Sequence, residues 1–116
     1  MWKPLSETAL LRSIEDAEWQ MEPPLRAFWD RIKIPPQKWR QTPWGDAGGG
    51  FWVVAIIGRE CVYYNDIEDG FNTSPYVQWG QIEEYWCNQP DLLAFVTAYH
   101  QDFLQVLLRQ SGKDRC

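Results

Sequence analysis

Nucleophilic, acid–base and metal-assisted chemistry all need particular side chains at particular spacings, and this chain supplies few of them. His100 is its only histidine. A two-histidine metal site is therefore excluded, and a cysteine–histidine nucleophile pair is the one arrangement of that kind to weigh. His100 follows Tyr99 in the last predicted helix, where an exposed or edge-of-core histidine is the expected role. Cys61, Cys87 and Cys116 form an odd set without Cys-x-x-Cys spacing. Neither a disulfide framework nor a zinc site is expected, and all three read as free thiols, Cys61 in the core and Cys116 on a mobile polar end. Ser6, Ser13, Ser74 and Ser111 lack a Gly-x-Ser-x-Gly setting, so serine chemistry has no foothold. The run Gly48-Gly49-Gly50 precedes an apolar segment, whereas phosphate-binding loops follow a strand and open a helix. Close backbone packing at the entry to a sheet is its expected use.

Carboxylates are the remaining candidates. Asp66, Glu68 and Asp69 could offer oxygens to a hard cation, but Gly70 is misplaced for an EF-type loop and the terminal Glu is missing. An Asx-type turn with solvated carboxylates is expected instead. Glu83 and Glu84 with Asp66 could be imagined as a paired-carboxylate site, yet sequence fixes no separation between them. No catalytic residue, cofactor or metal is expected.

Charge and aromatic content point elsewhere. Residues 1–59 hold eight bases against seven acids, while the stretch between Arg59 and Arg109 holds eight acids and no Lys or Arg. A field of one sign favours encounter with a basic partner and repels nucleic acid; its alternative use is a solvated, solubilising face. The chain also has eight Trp, five Tyr and five Phe. That is more indole than a domain of 116 residues readily hides, so one or more should line an exposed partner surface. Such a surface would take a protein partner or pack against a second copy as a homodimer. The first six residues lack the apolar run of a secretory signal, and no segment approaches a membrane span in length, so a cytoplasmic location is expected.

These groups must be positioned by an α+β fold. Leu10, Ile14, Ala17 and Met21 follow helical spacing behind Ser6, a good N-cap. Pro23-Pro24 closes that helix and starts another, with Leu25, Phe28, Trp29 and Ile32 on one face, ending before Pro35-Pro36. Residues 34–50, with three prolines and three consecutive glycines, read as an irregular connection. Phe51 to Ile57 is apolar on both faces, as a central strand should be, and Gly58-Arg59-Glu60 turns it into Cys61 to Tyr64. A third strand covers Phe71 to Ser74 and Tyr76 to Trp79, interrupted or ended by Pro75, which favours a sheet edge. Asn88, Pro90 and Asp91 resemble a capping box before a long helix. Its stripe runs through Leu92, Phe95, Val96, Tyr99, Phe103, Val106 and Leu107, and Ser111-Gly112 ends it. The expected architecture is an antiparallel sheet of three or more strands carrying two N-terminal helices and one long C-terminal helix. It forms one domain over residues 1–110, with a polar tail at 111–116.

The segments Gly50-Phe51-Trp52-Val53-Val54-Ala55-Ile56-Ile57-Gly58 and Tyr64-Asn65-Asp66-Ile67-Glu68-Asp69-Gly70-Phe71-Asn72 resemble small bacterial immunity-type proteins of polymorphic toxin systems. The helices ahead of the sheet are similar to those of the SUKH group. The resemblance implies a cytoplasmic protein that binds one toxin domain and blocks its active site. On that reading the partner-binding residues are Asp66, Glu68 and Asp69, Glu83 and Glu84, with Trp79 and Trp86 as aromatic anchors. The competing reading is a small-ligand-binding or enzymatic domain with a pocket between the sheet and the Trp39 to Trp44 loop.

Overall fold

Ser6 sits in extended geometry, and its hydroxyl accepts the Ala9 amide at 3.2 Å, satisfying one of the free donors of a helix start. Helix α1 (Glu7–Gln20) follows, burying Leu10, Ile14 and Ala17, with Met21 buried just beyond it. Helix α2 (Pro23–Ile32) places its two prolines at the first helical positions, where no amide is needed, and buries Trp29 and Ile32. The chain then enters a four-stranded antiparallel sheet in the order β1 (Lys33–Trp39), β2 (Phe51–Ile57), β3 (Glu60–Asn65), β4 (Gly70–Pro75). The last element is helix α3 (Leu92–Asp114). The structure, a computed structural model, describes residues 2–114, with side chains through residue 105.

The architecture is α+β, with two N-terminal helices, one long C-terminal helix and β2 and β3 at the centre of the sheet. Strand alternation sends Val54, Val62 and Phe71 to one face, where they join Leu10, Ile14, Trp29, Ile32, Leu92 and Val96 from the three helices. The opposite face carries Trp39, Phe51, Val53, Cys61 and Tyr63, and among the described residues no α-helix packs on it. Residues 76–90, which have no helix or strand of their own, lie across it as a strap that contributes Ile82, Tyr76 and Tyr85. The Tyr99 hydroxyl donates to Glu60 Oε2 at 2.6 Å and ties α3 to the start of β3. His100 is half-buried, with its ring 4.8 Å from that of Phe28. Among the described residues no helix is long and apolar enough to cross a membrane.

Four local expectations are corrected. Residues 34–50 are not irregular throughout, because Lys33–Trp39 is a strand. Its prolines are tolerated because β1 is an edge strand whose register with β2 slips between Lys33 and Gln37, so Pro35 and Pro36 fall outside the regular ladder. Tyr76 to Trp79 do not continue β4, which ends at Pro75, since Tyr76 donates its amide to Arg59 O and the chain turns away. Asp91 rather than Asn88 caps α3: its carboxylate accepts the Ala94 amide at 2.8 Å, while Asn88 is engaged with Asn72. Ser111-Gly112 does not end α3, which runs to Asp114; Phe103 in its stripe is exposed. The side chains of Val106 and Leu107, and all of Cys116, lie outside the described residues.

Gly50 enters β2 with φ +106, and a Cβ there would lie 2.3 Å from the carbonyl oxygen of Trp39, so both conformation and space demand glycine. Gly49 also has positive φ, +75, but open space around it. Gly50→Ala is expected to destabilise by more than about 2 kcal/mol and Gly49→Ala by about 1 kcal/mol, measured by urea denaturation. Equal effects of the two would contradict the close approach at Gly50.

Candidate functional site

The strap is held by an unusual use of strand side chains. Alternation places Tyr63 and Asn65 of β3 and Asn72 and Ser74 of β4 on the face away from the helices, and all four are buried. Buried polar groups need partners, and these find them in a backbone that has no ladder of its own. Ser74 Oγ accepts the amides of Glu83 and Glu84 at 3.1 and 2.8 Å. The Tyr63 hydroxyl accepts the Trp86 amide at 2.7 Å and lies 3.2 Å from the Glu84 carbonyl. Asn65 Nδ2 donates to the Trp86 carbonyl at 2.9 Å, and Asn72 pairs with the amide and carbonyl of Asn88 at 3.2 and 3.1 Å. Beyond Asn88 the Pro90 carbonyl accepts the Phe71 amide, and the chain rounds the β4 edge into α3.

Rings are fixed to this framework with one side in solvent. Trp79 is 55% exposed, yet its ring packs 4.9 Å from the buried Trp39. Trp44, 54% exposed, lies 5.3 Å from the ring of Tyr85, which in turn packs on Phe51. Trp86 is 50% exposed, and its indole N–H donates to Glu84 Oε1 at 3.1 Å. Trp44 was missed in the sequence because it lies in a loop; its only signal there was being an indole beside Pro43 and Gly45.

The acids expected to form a docking rim mostly have internal tasks. Asp66 Oδ2 accepts the Leu5 amide at 2.9 Å and its carbonyl accepts the Trp2 indole at 2.8 Å, so it anchors the N-terminal arm; Oδ1 is buried without a hydrogen-bond partner among the described residues. Asp69 accepts the Tyr64 hydroxyl, and burial together with that carboxylate raises the phenol's pKa above its ordinary range. The expected Asx turn is formed by Asn65, whose Oδ1 accepts the amides of Ile67 and Glu68. Glu68 is half-buried, and its carbonyl accepts from Gln89 of the strap at 2.8 Å. Glu83 and Glu84 are exposed on the strap. Asn65 and Gln89 therefore bring the turn beside strap residues 86–89, while Trp79 lies at the other end over Trp39.

Among the described residues, the candidate thiol Cys61 and the histidine lie in different clusters. Cys61 is buried in the strap-side core, and His100 lies in the aromatic cluster between α2 and α3. Burial pushes the Cys61 thiol up to about 12 and the Tyr63 hydroxyl up to about 12. The principal cavities, about 640 Å³ each, are grooves beside α1 and α2, one reaching β1 past Leu11, Trp29 and Ile34. The rings of Trp39 and Phe51 belong to the strap-side core, with Tyr76 packed against it. Comparison with protein-family models, with curated proteins and with solved structures finds no match.

Two expectations follow. Asn72→Ala strands the Asn88 amide and carbonyl and should cost about 1–3 kcal/mol, whereas Tyr63→Phe, which leaves the Trp86 amide without its acceptor, should cost about 1 kcal/mol more than Tyr76→Phe at the surface. Urea midpoints read both, and an unchanged midpoint for Asn72→Ala would show that the strap is held by apolar contacts alone. The second concerns alkali. The folded chain keeps the Cys61 and Tyr63 protons that the unfolded chain releases near 9.0 and 10.0. Their contribution is complete below the unfolded values and is lost as pH rises toward about 12. Cys61→Ala should make the alkaline fall of stability shallower; a steeper fall would reverse the sign.

Proposed function

We propose that the protein is a binding module for another protein, and that it docks through the strap face rather than catalysing a reaction. The observation that carries this reading is the set of half-exposed indoles, Trp44, Trp79 and Trp86, each fixed by a ring packed beneath it or by a hydrogen bond. Rings held in place before binding lose little freedom when a partner covers them, and indoles are the side chains that most often dominate interface energy. Glu83 and Glu84 between them give the face a negative rim, which speeds encounter with a basic partner more than it tightens the complex. The sequence resemblance adds the identity class: an immunity-type protein that covers a basic toxin domain. Glu68 and Asp69, beside the Trp86 end of the strap, extend the rim; Asp66, bound to the N-terminal arm, supports the turn instead.

The test is a pull-down from bacterial lysate with the wild-type protein as bait, followed by calorimetry with the captured protein. Trp79→Ala should weaken binding by about 30-fold, and Glu83→Lys with Glu84→Lys should lower the association rate and its salt dependence with a smaller change in dissociation. Co-production with a captured toxin should restore growth only when Trp79 is intact. A partner held with equal affinity by the variant that combines Trp79→Ala, Glu83→Lys and Glu84→Lys would remove the strap face as the docking surface.

A further inference from the structure

The outer edge of β4 carries backbone groups that the sheet does not pair. Phe71 donates its amide outward, to Pro90, so Phe71 is a position of β4 whose peptide groups point away from β3. By alternation Thr73, two residues on, also directs its N–H and C=O outward, and no partner among the described residues takes them. This stretch is the floor of a cleft of about 420 Å³ lined by Phe71, Thr73, Trp86, Asn88, Pro90 and Phe95. Trp86 stands on the strap side and Phe95, from the first turns of α3, on the helix side.

We infer that this cleft receives an extended, β-branched segment of a protein partner, which adds to β4 as a fifth strand at Thr73. An outward N–H and C=O on one residue bind another extended backbone and little else. The added strand would send alternate side chains to the two walls, where two aromatic rings and no charged group await them, so apolar residues suit its centre. Glu84, held at the rim by the Trp86 indole, favours a basic residue at one end. Length is limited on both sides. The Phe71 amide is already used by Pro90, and Pro75 has no amide, so about five residues of the partner pair. A second folded copy would have to bring its own β4 edge, with its Trp86 and Phe95, against the same two rings.

This inference rests on the protein-binding reading and names the form of the partner's contact. The probe is a blocked peptide, Lys-Val-Thr-Val-Thr-Val-Lys, added at about 1 mM to the full-length, ¹⁵N-labelled protein. Amide exchange at Thr73 should slow about tenfold or more, with chemical-shift changes confined to Phe71, Thr73, the Trp86 indole and Phe95. The same peptide N-methylated at its central valine should give neither effect, and Thr73→Pro, which removes the outward amide and also restrains the backbone of residues 72 and 73, should abolish binding of the unmodified peptide. Should that variant fail to fold, the N-methylated peptide decides alone. Unchanged exchange at Thr73, or equal effects of both peptides, overturns the proposal. So does protection of Thr73 without peptide at concentrations where light scattering reports a dimer, which would give the edge to a second copy. Partner binding that depends on Trp79 while Thr73 stays unprotected removes the edge site and leaves the strap face standing.

Discussion

The arrangement depends on one interaction repeated along the sheet: a buried polar side chain of β3 or β4 bonded to the backbone of a segment that has no secondary structure. Residues 76–90 must cross an apolar face, and every peptide group they bury needs a partner. Helices and strands solve this internally; the strap bridges the Arg40 backbone at Gly80 and Ile82 and beyond that borrows its partners from the side chains of Tyr63, Asn65, Asn72 and Ser74. Each such bond contributes only about 1 kcal/mol net, whereas leaving the same groups unpaired would cost about 1–3 kcal/mol each. The side chains therefore act mainly by fixing the register. With Glu83 over Ser74, Trp86 over Tyr63 and Asn88 over Asn72, the strap has one path across the sheet.

That path explains how so small a chain gives both faces of its sheet a core. One face is covered by three helices in the ordinary way. The other is closed by Ile82, Tyr76 and Tyr85 reaching down from the strap to Trp39, Phe51 and Tyr63. A covering layer one chain thick cannot hide large side chains on its outer side, so Trp79 and Trp86 remain half in water. The N-terminal arm, bonded to the turn beside the strap's end, plays a comparable part. The Trp52 indole donates to the Leu5 carbonyl at 2.9 Å, Trp2 to the Asp66 carbonyl, and Lys38 Nζ to the Gly48 carbonyl at 2.8 Å beneath the glycine run. The arm and the two loops thus brace one another.

What could be read from the sequence followed from periodicity and end signals. The spacing of Leu10, Ile14 and Ala17 behind Ser6, the two prolines opening α2, and the apolar run Phe51–Ile57 each follow a local rule, and the structure obeys them. Strand β1 was hidden because Pro35 and Pro36 are strong breakers everywhere except at a bulged sheet edge, and only the tertiary neighbour makes it an edge. The strap was hidden for a related reason. Asn72 and Ser74 read as strand or turn residues, and their role as anchors depends on a backbone 9 to 16 residues away in sequence. The seven candidate site residues were chosen by type, and the structure gives them surroundings that sequence spacing does not encode: Asp66 is bonded to the N-terminal arm, whereas Glu83 is exposed on the strap.

The same distinction alters the weight given to charge. Eight acids without a base between Arg59 and Arg109 suggest a continuous negative field. Yet Glu60 accepts from Tyr99, Asp66 from Leu5, Asp69 from Tyr64, Glu84 from Trp86 and Asp91 from Ala94, so most of these carboxylates point at specific donors within the fold. A carboxylate bonded to an internal donor still carries its charge, but one of its oxygens is committed to that donor, and its contribution to a partner falls with distance and screening. The rings have no such competing task on their exposed sides. If this face docks a partner as proposed, the apolar area of fixed indoles carries the contact first, and charge serves to bring the partner to them.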